Sequence, residues 1–216
     1  AWFRGMAYAV LSGAGDNAGA GSQHNGMYYA FPDGRVMFLP HDMDFAFSSS
    51  RSITANPECS KLAQNETRRR IYYGHLQDII TTTYNRSYMS KWTDHLKKLD
   101  PSQNWNGHLS YINSRSSNVL SQLRSIPEIQ FSISSPSTIE TQKNVVGING
   151  KGWVNVRGVR IKGSDENLPL KWSDENTWQL SLPAAPGRQK FELEAINFSG
   201  QVIGNDSVTI ISSAES

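Results

Sequence analysis

The chain has 216 residues, more than one typical domain of about 100–150 residues, so two hydrophobic cores are expected. Lys and Arg total 21 against 19 Asp and Glu, and 10% of the residues are aromatic, which excludes a general nucleic-acid binder and a disordered chain. The single cysteine, Cys59, rules out an intramolecular disulfide or a cysteine-built zinc site, and no stretch reaches the ~18–20 apolar residues of a membrane span.

The chain opens within an amphipathic pattern: Trp2, Phe3, Met6, Ala7, Val10 and Leu11 recur at three- and four-residue spacing, one face of a helix. No basic segment leading into an apolar run comes first; because residue 1 is Ala and the chain opens inside the amphipathic pattern, further residues are expected ahead of it in the natural protein. Glycine then ends the helix, and Gly13–Ser22 reads as a loop. Met27–Phe31 and Arg35–Leu39 have strand composition and flank Pro32-Asp33-Gly34, which predicts a β-hairpin: proline presets φ and glycine tolerates positive φ. Pro40 closes the second strand, and His41-Asp42-Met43-Asp44-Phe45 follows on a loop before Ser48-Ser49-Ser50.

From Asn56-Pro57 the period is helical, through Leu62, Ile71, Tyr72, His75, Leu76, Ile79 and Ile80, then Tyr88, Trp92, Leu96 and Leu99. Asp100-Pro101-Ser102 reads as a further helix start, with Leu109, Ile112, Ser116, Val119, Leu120 and Leu123 on its inner face. Arg68-Arg69-Arg70 reads as a solvated helix face, and His75 and His95 as partly buried packing residues. After Ile126-Pro127 short strands are expected at Ile129–Ile133, Val154–Ile161, Thr177–Leu182, Lys190–Asn197 and Ser207–Ile211, broken by Gly147–Gly150, Pro186-Gly187 and Asn197–Gly200. The expected fold is α+β over 1–125, helices with one hairpin, followed by an all-β sandwich over 126–216. Trp153, Trp172 and Trp178 are read as packing residues of that sandwich, with a glycan platform as the alternative.

Three features of the first part converge. A hairpin sets the ends of its strands side by side, so Asn25 before the first strand and Asp42 and Asp44 after the second share one end of the ribbon, and Asp16 is tied to that end by a loop. Carboxylates and an amide oxygen are hard ligands of the kind Mg²⁺ takes beside water and phosphate oxygens. Phosphoryl transfer is the chemistry that suits them. The rival readings of the same residues are a structural Ca²⁺ site and a zinc site from His24, His41 and Asp42. A Walker loop is excluded, because Gly13–Ser22 contains no Gly-Lys-Ser/Thr.

The helix with Trp2 and Ala7 leading to Gly15-Asp16-Asn17, the segment Asn25–Tyr29, and Phe38-Leu39-Pro40-His41-Asp42-Met43-Asp44-Phe45-Ala46-Phe47 together resemble the spore-coat CotH kinase family of atypical kinases. The likeness extends to about Leu123, slightly over half of the chain, and looks like that family's C-terminal lobe. His41 stands where the family has Trp, and Ala46 follows Asp44-Phe45 where protein kinases have Gly. The resemblance implies that Asp16 is the catalytic carboxylate, and that Asn25 with Asp42 or Asp44 holds Mg²⁺ (or Mn²⁺) on the ATP phosphates. The implied reaction is transfer to a protein Ser/Thr hydroxyl. It also implies a secreted or cell-surface protein, and an N-terminal lobe outside these residues without which the segment is expected to be inactive. The β-part is similar to bacterial Ig-like modules and offers a candidate site for a cell-surface partner. A scaffold or adhesion protein with a catalytically decayed lobe is the alternative.

Overall fold

The computed structural model describes residues 2–16, 25–48 and 50–214. The chain is mixed α+β and divides into two compact units, Ala1–Ser125 and Ile126–Ser216. Asn17, the rest of the glycine-rich loop, His24 and Ser49 lie outside the described residues.

The first unit begins with α1 (Trp2–Ser12), followed by the hairpin strands β1 (Gly26–Ala30) and β2 (Val36–Pro40). Four helices follow: α2 (Pro57–Gln64), α3 (Glu66–Thr82), α4 (Arg86–Leu99) and α5 (Trp105–Leu123). α1 buries Met6, Ala7, Val10 and Leu11 and packs on α3, β2 and α5. The interior of α3 is made of Tyr72, Tyr73, Leu76, Ile79 and Ile80. The hairpin has the register Gly26↔Pro40 to Ala30↔Val36. Its turn is closed by Gly34 N–H donating to the Phe31 carbonyl at 3.0 Å, with Gly34 at φ 81°. The ribbon seats on α1 where Phe38, buried, meets Ala9 and Gly5; a Cβ on Gly5 would lie 2.6 Å from a Phe38 ring carbon.

Asparagine starts each of the four later helices. The side chains of Asn56, Asn65, Asn85 and Asn104 accept from Glu58 N–H, Arg68 N–H, Tyr88 N–H and Gly107 N–H, which satisfies donors that a helix N-terminus leaves open. The expected start at Asp100 is corrected by this. Asp100 ends α4, its own N–H bonding the Leu96 carbonyl, and its carboxylate closes a turn onto Ser102 N–H at 3.0 Å. Two further expectations change. Arg70 is buried, so the arginine run is solvated at Arg68 and enclosed two residues on, and His95 is exposed on α4 rather than packed.

The second unit is a sandwich of two four-stranded sheets. One has the order β3-β5-β8-β7, from β3 (Ser132–Ile133), β5 (Val145–Lys151), β8 (Thr177–Pro183) and β7 (Lys171–Trp172). The other has the order β4-β10-β9-β6, from β4 (Thr138–Thr141), β10 (Val202–Ser212), β9 (Gly187–Ile196) and β6 (Gly158–Ile161). β4 runs parallel to β10, and the other pairings are antiparallel. Ile148, Trp178, Leu180 and Leu182 of the first sheet pack with Val159, Leu193, Ala195, Val208 and Ile210 of the second. Trp178 stacks on Phe131 with centroids 5.4 Å apart, and Trp153 is buried with its indole N–H on the Ile126 carbonyl. Neither ring is available as a glycan platform.

Gly147–Gly150, expected as a break, is the interior of β5. Its burial alternates, Ile148 and Gly150 inward, and a Cβ on Gly150 would overlap the Ser132 carbonyl and the Trp178 ring. Glycine is there to admit a tryptophan, which local composition does not show. The segment Trp153–Val156 forms a turn, with Val156 N–H on the Trp153 carbonyl, so the strand expected from Val154 begins at Gly158.

Candidate functional site

The last carbonyls of a helix have no partner inside it. At the end of α1 they are met by the helix's own Ser12 hydroxyl and by residues from elsewhere in the fold. Ser12 Oγ donates to Ala9 O at 2.8 Å, Arg115 to Val10 O, Tyr84 Oη to Leu11 O at 2.7 Å and Phe47 N–H to Ser12 O at 2.7 Å, while Ser48 Oγ, 2.6 Å from its nearer acceptor Phe45 O, lies 3.3 Å from Gly13 O. Gly13 has φ 66°, the left-handed conformation that terminates a helix at glycine. The result is a stop fixed on several sides. Ala14 is fully buried, and Asp16 follows just beyond it.

Two of those bonds come from the segment after β2. Phe47 and Ser48 tie the loop carrying Asp42 and Asp44 to the residues that lead into Asp16. The Phe47 ring packs against His108 and Tyr111 of α5, at 5.1 and 5.6 Å between centroids, which anchors that loop from its other side.

Asp16 and Asn25 meet directly. Asn25 Nδ2 donates to Asp16 Oδ2 at 3.2 Å, while Asp16 Oδ1 is buried without a hydrogen-bond partner among the described residues. Leaving such an oxygen unmatched costs on the order of 1–3 kcal/mol, and it marks a place where a proton, cation or donor belongs. Asn25 has φ 56°, Asp42 φ 51° and Phe47 φ 61°; these are the non-glycine residues with positive φ among the described residues, and all three flank the open end of the hairpin. Asparagine and aspartate enter that region more readily than other side chains, phenylalanine with strain.

Asp42 and Asp44 are exposed. In an extended segment they would face one side, but the left-handed Asp42 breaks the alternation, and Asp44 sits in a turn closed by Ala46 N–H on the Met43 carbonyl at 3.0 Å. Among the described residues there is no group of three or more His, Cys, Asp or Glu side chains placed to hold a metal ion. The acids therefore do not form a cation cage of their own. A divalent ion here would take the Asn25 amide oxygen and one of the acids, with water and phosphate oxygens filling its remaining positions.

Two further residues shape the site. Arg115, 1% exposed, lies on the inner face of α5 beside Ile112 and Val119, and an arginine in that apolar series was the available signal. Its Nη1 also reaches the Arg51 carbonyl at 2.6 Å and Asn118 Oδ1 at 3.1 Å. Burial pulls its pKa below the usual arginine value, opposed by the neighbouring tyrosines Tyr111, Tyr84 and Tyr72. Burial pushes the Tyr84 hydroxyl well above the ordinary tyrosine range, so it stays protonated as the donor to Leu11 O.

No family model matches the chain, and no curated protein does. Among solved structures, the fibronectin(III)-like modules of Clostridium thermocellum CbhA align with 40% of this chain over their whole length, at 16% identity and a TM-score of 0.32. The endo-beta-1,4-mannanase from Thermotoga petrophila aligns with 50% of this chain at 14% identity and a TM-score of 0.32. The chain spans 24% of that enzyme's length. Likenesses at this level carry no statement about activity.

Proposed function

We propose that the first unit is the C-terminal lobe of an atypical protein kinase of the spore-coat CotH type, secreted or at the cell surface, and that the second is an Ig-like module. The observation that carries the reading is the Asn25 to Asp16 hydrogen bond beside the unpartnered Asp16 Oδ1. Asn25 spends its N–H₂ on Asp16, which leaves its amide oxygen as a hard ligand. Asp16 accepts the proton of a serine or threonine hydroxyl as that oxygen bonds to the γ-phosphorus of ATP and the bond to ADP breaks. Asn25 and Asp42 or Asp44 would hold the ion. Mg²⁺ or Mn²⁺, when bound, neutralises phosphate charge as the bond to ADP opens. The chain contributes positioning: the α1 stop precedes Asp16 by a few residues, and the Phe47 N–H bond to the Ser12 carbonyl ties the segment after the acids to that stop.

In immunoglobulin lettering the second unit's sheets run A-B-E-D and A′-G-F-C, which supports the Ig-like reading. Such a module suits a cell-surface partner.

The test is phosphate transfer from γ-labelled ATP in Mg²⁺ to a Ser/Thr-rich protein, using the full-length protein. Wild type labels the acceptor, and Asp16→Asn and Asn25→Ala do not. A fully active Asp16→Asn variant refutes its role. A Mn²⁺ titration followed by electron paramagnetic resonance supplies a second readout, since loss of Asn25 weakens ion binding independently of turnover.

The exposure of Asp42 and Asp44 and the lack of a three-acid cluster among the described residues favour a second reading, a decayed lobe serving as scaffold. Mg²⁺-ATP then leaves the melting temperature of the full-length protein unchanged, whereas a competent lobe is stabilised by ligand.

A further inference from the structure

Helix α4 presents an apolar arc that stays exposed among the described residues. Tyr88, Trp92, Leu96 and Leu99 recur at three- and four-residue spacing and so share one side of the helix. They are 37%, 53%, 38% and 73% exposed, and Thr93 is the one buried residue of α4. α4 meets α5 through Thr93 with Met89 and Ser90 half-buried, and its tryptophan and two leucines stay largely in solvent, the mark of a surface that takes a partner.

The charges around that arc indicate which kind. Lys91, His95 and Lys98 border it on one side, with Arg86 and Lys97 nearer the other, and Asp94 is the single acid of the helix. Among the described residues none of the four Lys and Arg side chains forms an ion pair with a carboxylate. The helix is 14 residues long, about 21 Å, and one arc of it offers far less than the ~800 Å² per partner of a standard protein interface. An aromatic and leucine arc edged by unpaired lysines instead matches a helix lying in the plane of a bilayer, with rings and leucines at the acyl boundary and ammonium groups among anionic headgroups.

We propose that α4 is an interfacial helix that docks this unit on a surface of anionic lipid. Docking is peripheral. The helix is too short and too charged to cross a bilayer, in line with no helix among the described residues being long and apolar enough to do so.

Flotation with vesicles tests it. At low salt the protein floats with vesicles of equal parts phosphatidylcholine and phosphatidylglycerol, stays behind with phosphatidylcholine alone, and is released by molar salt. Two variants remove the two halves of the surface separately: Trp92→Ser with Leu99→Ser, and Lys91→Glu with Lys98→Glu. Each weakens binding to the anionic vesicles by about twentyfold or more. All four positions are exposed, so the variants melt as the wild type does, and each pair checks the other. Four results overturn the proposal: no flotation with anionic vesicles, equal flotation with neutral ones, flotation unchanged in both variants, or a wild-type dimer in sedimentation velocity that Trp92→Ser dissolves. The last assigns the arc to a second copy of the chain.

Discussion

The guanidinium of Arg115 donates to the Val10 carbonyl twice, from Nη2 at 2.8 Å and from Nε at 3.3 Å. With Nη1 on the Arg51 carbonyl, one side chain joins the end of α1, the segment leading to α2, and α5. Arg115→Met keeps most of the volume and removes the donors to the buried Val10 carbonyl and the guanidinium's bond to the Arg51 carbonyl. A loss of about 3 kcal/mol in urea-measured stability is expected. Arg115→Lys recovers only part of it, because an ammonium lacks the planar fork that reaches both carbonyls. A loss below ~1 kcal/mol for the methionine variant contradicts the account.

Asp16→Asn separates stability from activity. The new amide oxygen still accepts from Asn25, and a neutral NH2 group stands in place of the unmatched oxygen of a charged carboxylate. Stability in EDTA is expected to hold or to rise by about 1 kcal/mol while phosphate transfer is lost. Marked destabilisation would mean that the carboxylate serves the fold.

Cys59 supplies a pH signature. Burial pushes its thiol from 9.0 to about 11, only partly offset by a hydrogen bond with Tyr72. A raised folded value means that the unfolded chain loses its proton first. The contribution to stability is therefore full below about pH 9 and falls as pH rises through about 11. Denaturant melts of wild type and Cys59→Ala should converge over that window by on the order of 2 kcal/mol. In the folded state the thiol should resist a disulfide reagent at pH 8 and react on unfolding. Parallel pH profiles for the two proteins would exclude the effect.

Two glycines of β5 should respond oppositely. A Cβ on Gly150 enters the Trp178 ring and the Ser132 carbonyl, so Gly150→Ala is expected to cost about 3 kcal/mol or more in the second unit. Gly147 faces outward with nothing within 4 Å, and Gly147→Ala should be neutral or stabilise by roughly 0.5 kcal/mol. Calorimetry of both variants reads the contrast, and equal effects would mean that Trp178 does not rest on Gly150.

Some of this is local enough to be legible in the order of residues. Pro32-Asp33-Gly34 between two strand-like runs predicts the hairpin, because the turn's dihedral needs are met within the turn. α1 follows from the period of Met6, Ala7, Val10 and Leu11, with its stop at Gly13. Asp16, Asn25, Asp42 and Asp44 were candidates by residue type, and the hairpin alone places Asn25 beside the strand exit. The same local reasoning failed at Gly147–Gly150 and at Asp100, where the glycines make room for a distant tryptophan and the carboxylate closes a turn instead of opening a helix.

What remained was decided by contacts between residues far apart along the chain. The pairing of Asp16 with Asn25, the buried oxygen left over, the left-handed backbone at Asp42, and the Phe47 bond to Ser12 all depend on how separate segments meet. So does α4: its apolar spacing is written in the sequence, but only packing reveals that the side chains at that spacing face outward. Periodicity records which residues share a side of an element. The side that is covered is set by neighbours whose positions no local pattern specifies.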